Sequence, residues 1–265
     1  MNERLIALDV DGTLLNDAHE LTPRVARAVR EMAERGAEIV ICTGRGSTSA
    51  LGVLRELGLQ GTMITHNGAA VVDSQTREVI HDTAISHEQA ARYIRFFRER
   101  RIHFDLNTAF DLFVETLDED AAAMYENLLA RPIRRSFAER LPEPLVKMSV
   151  YAPKDVLDEV ELEWQAWKHE LQTIRSGDRF IDVQHLNASK GQALEWLAGR
   201  RGIPRESILA IGNYYNDTGM LKFAGRGVAM DNSPDEVKAA ADEVTVSNNE
   251  DGVAVVLESL LTARP

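Results

Sequence analysis

The stretch Leu5-Ile6-Ala7-Leu8-Asp9-Val10-Asp11-Gly12-Thr13-Leu14-Leu15 decides how the rest of the chain is read. Four apolar residues in succession predict a strand buried on both faces, as in a parallel sheet. Two carboxylates at its C-terminal end then stand where open α/β sheets carry their chemistry. Gly12 permits a sharp turn that brings backbone N–H groups toward a ligand, and Thr13 adds a hydroxyl. A carboxylate, a second one two residues on and a Gly-Thr turn together suit metal-assisted phosphoryl transfer through an aspartyl-phosphate. The plainer alternative is two polar residues leaving a strand.

Composition narrows the partners. A length of 265 residues suits one large domain or two modest ones. Hydrophobic residues at 44% and charged residues at 27% place the chain among ordinary globular proteins. No apolar run approaches the roughly 20 residues that span a bilayer. Met1-Asn2-Glu3-Arg4 leads straight into the first strand, so neither a membrane partner nor a signal peptide is expected. Cys42 is the single cysteine, which predicts no internal disulfide and a reducing, cytoplasmic setting. The seven histidines lack zinc-ligand spacing, so no zinc site is expected. A net charge of −12 argues against nucleic acid. An anionic ligand must therefore be attracted locally, by a cation such as Mg²⁺, a Lys, an Arg or a helix N-terminus.

Strand and helix alternate over the first 80 or so residues. A helix is predicted over 22–35, with Pro23 early and Gly36 as its stop. Glu38–Cys42 reads as the second buried strand, Ser47–Leu57 as a helix and Thr62–Thr65 as a third strand. Asn67-Gly68 marks a turn, followed by a small hairpin over 69–73 and 78–81. The texture then changes. A helix over His87–Arg100, strands over His103–Asn107 and 112–116, a helix over 119–130, a strand over 145–151, a helix over 153–169 and strands over 173–175 and 180–183 do not continue the alternation. In the helix over 153–169, Trp164 and Trp167 lie one turn apart and read as a core face. Residues 83–185 are read as an inserted α+β domain. From Ser189 the alternation resumes, with helices over 189–200, 217–223, 234–241 and 251–261 and strands over 207–211 and 227–230. The expected architecture is α/β: a Rossmann-like parallel-sheet core over 1–82 and 186–265, with the α+β insert acting as a mobile lid or cap.

Three further elements bear on chemistry. Thr43-Gly44-Arg45 follows the second strand; a hydroxyl and a glycine there either bind a phosphoryl oxygen or form an ordinary turn with Ser47 as helix cap. In Ser189-Lys190-Gly191, Ser189 reads as an N-cap, which puts Lys190 in the first helical turn against the helix dipole. That placement is either tolerated at the surface or compensated by an anion. Gly212-Asn213-Tyr214-Tyr215-Asn216-Asp217 follows another apolar strand and suits part of a Mg²⁺ site; Asp217 is otherwise a helix-start carboxylate and Asn216 a turn residue.

In this order the four elements resemble the haloacid dehalogenase superfamily over nearly the whole chain. More narrowly they are similar to its Cof-type branch, whose larger cap is inserted between the second and third motifs, the place of residues 83–185. Further similar segments are His66-Asn67-Gly68-Ala69 and 229–233 through 250–253. The resemblance implies that Asp9 is the nucleophile and a metal ligand. It implies that Asp11 is the general acid and base, with its backbone carbonyl on Mg²⁺. A general acid must hold its proton near neutral pH, so Asp11 is expected to titrate high while Asp9 stays ionised. Phosphate is expected on Gly12, Thr13, Thr43, Gly44, Arg45 and Lys190, metal on Asp9, Asp11, Asn213 and Asp217, and support from Asn67, Asn216 and Asn232. One position departs from the family pattern Gly-Asp-x-x-Asn-Asp: Asn213 stands where the family has Asp. The site loses one negative charge, so weaker Mg²⁺ binding is expected unless Asp217 moves inward. The implied activity is a Mg²⁺-dependent phosphatase, monomeric or a weak homodimer, acting on a small phosphorylated metabolite such as a sugar or cofactor phosphate. Alternatives are a non-catalytic phosphometabolite-binding protein on the same fold, or a phosphotransferase or mutase.

Overall fold

The computed structural model describes residues 3–127 and 130–262. It divides into two compact units: residues up to His81 with those from Ala188 onward, and Asp82–Asn187.

The first unit is built on an eight-stranded sheet. Its order is Glu243–Val244, Arg226–Ala229, Ile208–Gly212, Leu5–Leu8, Glu38–Cys42, Thr62–Thr65, Ala70–Asp73, Val79–Asp82. The first six run parallel and Ala70–Asp73 turns antiparallel. Leu5–Leu8 has no exposed residue, as a four-residue apolar run requires when helices cover both faces. Leu5 and Ala7 pack with Val40, Ile208 and Ala210 against Ala193, Leu194, Leu197, Met220 and Leu221 of helices Lys190–Arg201 and Thr218–Phe223. By alternation Ile6 and Leu8 point to the opposite face. Helix Pro23–Glu34 packs against both Ser47–Leu57 and Gly252–Thr262. Thr22 caps Pro23–Glu34 by accepting from the Val25 N–H, and Val25, Ala26, Val29 and Met32 form its buried stripe. The chain leaves Leu5–Leu8 toward Glu38–Cys42 on one side and returns to Ile208–Gly212 on the other. That reversal opens a crevice at the carboxyl ends of these three strands.

The second unit is α+β. Its six-stranded sheet runs Leu171–Gly177, Phe180–His185, Lys147–Tyr151, His103–Asn107, Leu112–Val114, Ile133–Arg134. Helices His87–Arg100 and Lys154–Trp164 cover one face, burying Tyr93, Phe97, Leu157 and Trp164 on Phe104, Leu106, Met148, Val150, Ile181 and Val183. The residues between these point the other way and are polar: Asp105 and Asn107, Ser149, Asp182 and Gln184. Ser149 donates to Asp182 at 2.8 Å, and Lys147 pairs with Asp182 at 3.3 Å. Helix Glu119–Asn127 covers part of this face through Ala121, Met124 and Tyr125.

Several elements differ from the sequence expectation. The helix expected over 153–169 ends at Trp164, where the backbone tightens. The Ala166 N–H bonds the Glu163 carbonyl at 3.2 Å and the Trp167 N–H the Trp164 carbonyl at 2.8 Å, i→i+3 contacts that replace the helical ladder. His169 Nε2 adds a bond to the Trp164 carbonyl at 2.9 Å. Trp167 still packs against the core, but from the following turn. The helix expected over 234–241 is only Asp235–Lys238. Strands Ile133–Arg134 and Glu243–Val244 are too short to leave a periodic signal. The expected continuation of Glu119–Asn127 over 128 and 129 falls outside the described residues.

Asp105 accepts from Tyr125 Oη at 2.9 Å and Asn107 Nδ2 at 2.5 Å, and burial pushes its carboxyl up to about 6. A carboxyl raised on folding holds its proton in the native state after the unfolded chain has released it. Stability therefore falls as pH rises from about 4 through about 6. The Asp105→Asn variant removes that dependence. Its melting temperature relative to the parent should climb across this window and level off above it. A difference independent of pH would show that the Asp105 carboxyl titrates alike in the folded and the unfolded chain.

Candidate active site

Three strand ends and one helix start meet in the first unit. Leu5–Leu8 delivers Asp9, Glu38–Cys42 delivers Thr43, and Ile208–Gly212 delivers Asn213. Ser189 caps helix Lys190–Arg201 by accepting from the Gln192 N–H at 3.1 Å, which sets Lys190 in its first turn. This helix start lies against the His66–Gly68 turn. Gly68 has φ +94° there, and a Cβ would run into the backbone of Ser189.

Lys190 is the centre of the arrangement. Its Nζ donates to Asp9 Oδ1 at 2.7 Å and to Asp217 Oδ1 at 2.6 Å. All three side chains are buried, with exposures of 1% for Lys190, 7% for Asp9 and 0% for Asp217. Burial opposes its charge, but Asp217 and Asp9 outweigh that effect and hold Lys190 above the usual ammonium range. Two carboxylates share one cation, so the trio is net negative. Asp9 accordingly rises, chiefly by burial and then by repulsion from Asp217, to about 6 despite Lys190. It remains mostly ionised at neutral pH. Cys42 lies buried near the same charges, and burial pushes its thiol far up, so it supplies no second nucleophile.

The other oxygens are individually addressed. Thr13 donates to Asp9 Oδ2 at 2.9 Å, so its hydroxyl orients Asp9 instead of standing free for a ligand. Asp217 Oδ2 accepts from the backbone N–H groups of Asn213 and Tyr214 at 2.8 and 2.9 Å. Both Asp217 oxygens are thus engaged by Lys190 and the loop. Arg45 forks onto Asp11, Nε to Oδ2 at 2.8 Å and Nη2 to Oδ1 at 2.5 Å, where a phosphate contact was expected. Thr43 accepts from the Arg45 N–H at 3.1 Å and keeps its hydroxyl hydrogen to donate. Gly44 is half-buried, and a Cβ there would press on Asn67 Oδ1.

The expected supporting residues are also here. Asn216 Nδ2 donates to Asn67 Oδ1 at 2.9 Å, and Asn232 Nδ2 donates to the Gly12 carbonyl at 2.8 Å. Gly12 has φ +75°, and a Cβ would collide with the Asn213 amide, so both conformation and space demand glycine. Asn248 was not anticipated. It is buried and donates through Nδ2 to the Leu15 carbonyl at 3.0 Å and to Asp17 at 3.1 Å, tying the far end of the Asp9–Leu15 loop. No spacing in the sequence marks a residue 233 positions from its partner.

The residues present suit a hard divalent cation. One end of the Asn213 amide lies 2.9 Å from the Asp11 carbonyl oxygen and 3.1 Å from Asp9 Oδ2. Neighbouring ligands of octahedral Mg²⁺ are roughly 3 Å apart, given metal–oxygen distances near 2.1 Å. This group combines a carboxylate, a carbonyl and an amide. Among the described residues no cluster of three His, Cys, Asp or Glu side chains could hold a metal.

A family model described as haloacid dehalogenase-like hydrolase matches residues 6–257. The chain is 30% identical to phosphatase YwpJ of Bacillus subtilis, with 97% of this chain and 100% of that protein covered. It is 31% identical to the 5-amino-6-(5-phospho-D-ribitylamino)uracil phosphatase YcsE of the same organism, covering 95% and 93%. Among solved structures, a haloacid dehalogenase-like hydrolase from Bacteroides thetaiotaomicron superposes with a TM-score of 0.88 at 27% identity, covering 97% and 99%.

Replacing Lys190 by Met leaves Asp9 and Asp217 buried and facing each other without a cation. A loss of about 3–5 kcal/mol is expected by chemical denaturation at pH 8. Combining it with Asp217→Asn should recover part of that loss, since the two residues act on one charge balance. Full additivity would show that Lys190 does not bridge them.

Proposed function

The chain belongs to the haloacid dehalogenase-like hydrolases, and on that premise we propose that it hydrolyses the phosphomonoester of a small phosphorylated metabolite through an aspartyl-phosphate on Asp9. The observation that carries this reading is the treatment of Asp9: a buried carboxylate with one oxygen on Lys190 and the other on Thr13, two residues from a second, exposed carboxylate. A structural carboxylate has no need of that second group. A nucleophile with a neighbouring acid does.

An Asp9 oxygen attacks phosphorus, and the bond from phosphorus to the ester oxygen breaks. Asp11 gives its proton to that departing oxygen. Asp11 then takes a proton from water, whose oxygen attacks phosphorus, and the bond to Asp9 breaks to release inorganic phosphate. Asp11 is placed for this by being 47% exposed at the side chain, whereas Asp9 is buried. In the resting arrangement Arg45 covers both Asp11 oxygens, so the pair must open before Asp11 can donate. Opening frees the Arg45 fork for phosphoryl oxygens, together with the Thr43 hydroxyl hydrogen. Lys190 keeps Asp9 ionised and lends positive charge beside the phosphoryl group.

Asp9, the Asp11 carbonyl and the Asn213 side chain are the groups that would hold Mg²⁺. When bound, Mg²⁺ neutralises charge on the phosphoryl oxygens as a Lewis acid. With a net charge of −12, the protein relies on these few cations, not on its overall field, to receive an anion. Choice among phosphometabolites is assigned to the inserted unit Asp82–Asn187. A relative named for a phosphorylated ribitylamino compound gives the class: a phosphate on a small polar carbon skeleton.

The test is release of inorganic phosphate from an aryl phosphate and a panel of sugar and cofactor phosphates, with Mg²⁺ titrated. Turnover should require Mg²⁺ and vanish in Asp9→Asn. In Asp11→Asn, kcat should drop by roughly 10²–10⁴-fold. Silence across the panel at saturating Mg²⁺ would reject hydrolysis and favour a non-catalytic phosphometabolite binder.

A further inference from the structure

The end of the Asn213 amide that approaches Asp11 and Asp9 also lies 3.1 Å from Thr13 Oγ1. All three neighbours are oxygens. The Asp11 carbonyl and Asp9 Oδ2 only accept. Thr13 has one hydroxyl hydrogen for two neighbours, Asp9 Oδ2 at 2.9 Å and this end of the amide at 3.1 Å, of which the nearer, charged carboxylate takes it. An amide oxygen in that position would face three acceptors with no hydrogen between them. Nδ2 there has two hydrogens to share among the three, one partner being charged. The hydrogen-bond partners therefore assign Nδ2 to the inner position in the metal-free protein.

This is the same group of oxygens that a hard cation would draw together. We propose that Asn213 is a resident substitute for the cation: its NH₂ occupies the ligand cluster in the metal-free protein, and the amide must turn about its Cβ–Cγ bond to offer Oδ1 when the ion arrives. The identity of the ion as Mg²⁺ rests on the phosphatase reading above; the inward NH₂ does not. The backbone can stay fixed during the turn, because Asp217 Oδ2 holds the Asn213 N–H at 2.8 Å. Asn213 is half-buried, so the side chain can rotate without disturbing the core. A carboxylate at this position could do neither thing. It has no hydrogens for Asp9 and the Asp11 carbonyl, and it would add repulsion to a site already net negative. With Asn, the metal-free site is satisfied and the ion must displace a donor. With Asp, the metal-free site is strained and the ion relieves it.

Two measurements without substrate test this. First, the side-chain ¹⁵N–¹H₂ signals of Asn213 are followed in the metal-free protein and during a Mg²⁺ titration. At least one amide hydrogen should resist exchange with water without metal and lose that protection as Mg²⁺ binds. Second, Mg²⁺ binding to the parent and to Asn213→Asp is measured by calorimetry, with melting temperatures in chelator. The variant should bind Mg²⁺ about tenfold or more tightly, and melt lower than the parent in chelator. Freely exchanging Asn213 hydrogens in the metal-free protein would overturn the proposal, as would equal Mg²⁺ affinity of the two proteins. The amide signals are read on the unmodified chain, so poor folding of the variant does not remove the test. Failure of the phosphatase reading appears elsewhere, as absent phosphate release in a protein whose amide and binding data stand on their own.

Discussion

One buried ammonium between two buried carboxylates organises this molecule's chemistry. Lys190 joins the start of one helix to the end of the central strand, through Asp9, and to the loop after the adjacent strand, through Asp217. Removing three charges from water is costly, and their mutual attraction offsets that cost only where the geometry is tight and the remaining lone pairs are satisfied. Here they are: Asp217 takes two backbone N–H groups and Asp9 takes the Thr13 hydroxyl. The helix dipole, which disfavours a cation at this end, is a small effect beside two carboxylates in direct contact. The trio stays net negative, so the crevice retains an appetite for one further positive charge.

The surrounding architecture keeps that trio in place. A parallel sheet flanked by helices on both faces gives rigid strand ends, and the reversal of strand order at Leu5–Leu8 lets three of them converge. Close backbone contact finishes the work at two glycines. Gly12 leaves room for the Asn213 amide, and Gly68 lets the turn before Ala70–Asp73 lie against the helix that carries Lys190. The polar residues nearest the crevice act mainly on one another: Thr13 on Asp9, Arg45 on Asp11, Asn216 on Asn67. The hydrogen bonds to Asp9 and between Asn216 and Asn67 fix the frame of the site, while the Arg45–Asp11 pair is the part that must open for the chemistry proposed above.

Much of this was legible in the sequence, and the limits have physical reasons. Leu5–Leu8 with Asp9 and Asp11 announced a buried strand ending in chemistry, because a run without polar interruption has few other homes. Lys190 behind an N-cap serine was readable as a charge in need of an anion, but the sequence did not say that Asp217 is that anion. The pairing depends on a crossover between strands, which local pattern does not encode. Arg45 was readable as a cation at a strand end, but its bidentate fork onto Asp11, 34 positions away, follows from the juxtaposition of two strand ends that local pattern does not encode. The helix expected to run through residue 169 stops at Trp164, where the backbone tightens into i→i+3 bonds that let Trp167 and His169 fold back on the core, an event of tertiary packing that propensity does not register. Asn248 escaped notice entirely, as a polar residue whose only distinction is what lies opposite it in space.

The separation of Asp9 from Lys190 by 181 residues has a consequence for how the chain is made. At about 5–20 residues per second, the ribosome completes the nucleophile's strand on the order of ten seconds or more before its counter-charge exists. Over that interval Leu5–Leu8 also lacks the neighbour Ile208–Gly212, so the nascent sheet has an open edge of apolar backbone. The segment Asp82–Asn187, by contrast, emerges as one continuous piece with every strand of its own sheet. The unit that is interrupted in the chain is thus the one that must wait. Its central seam closes only after the interruption has been synthesised, and a chain truncated before Lys190 carries an unneutralised Asp9 in an unfinished sheet.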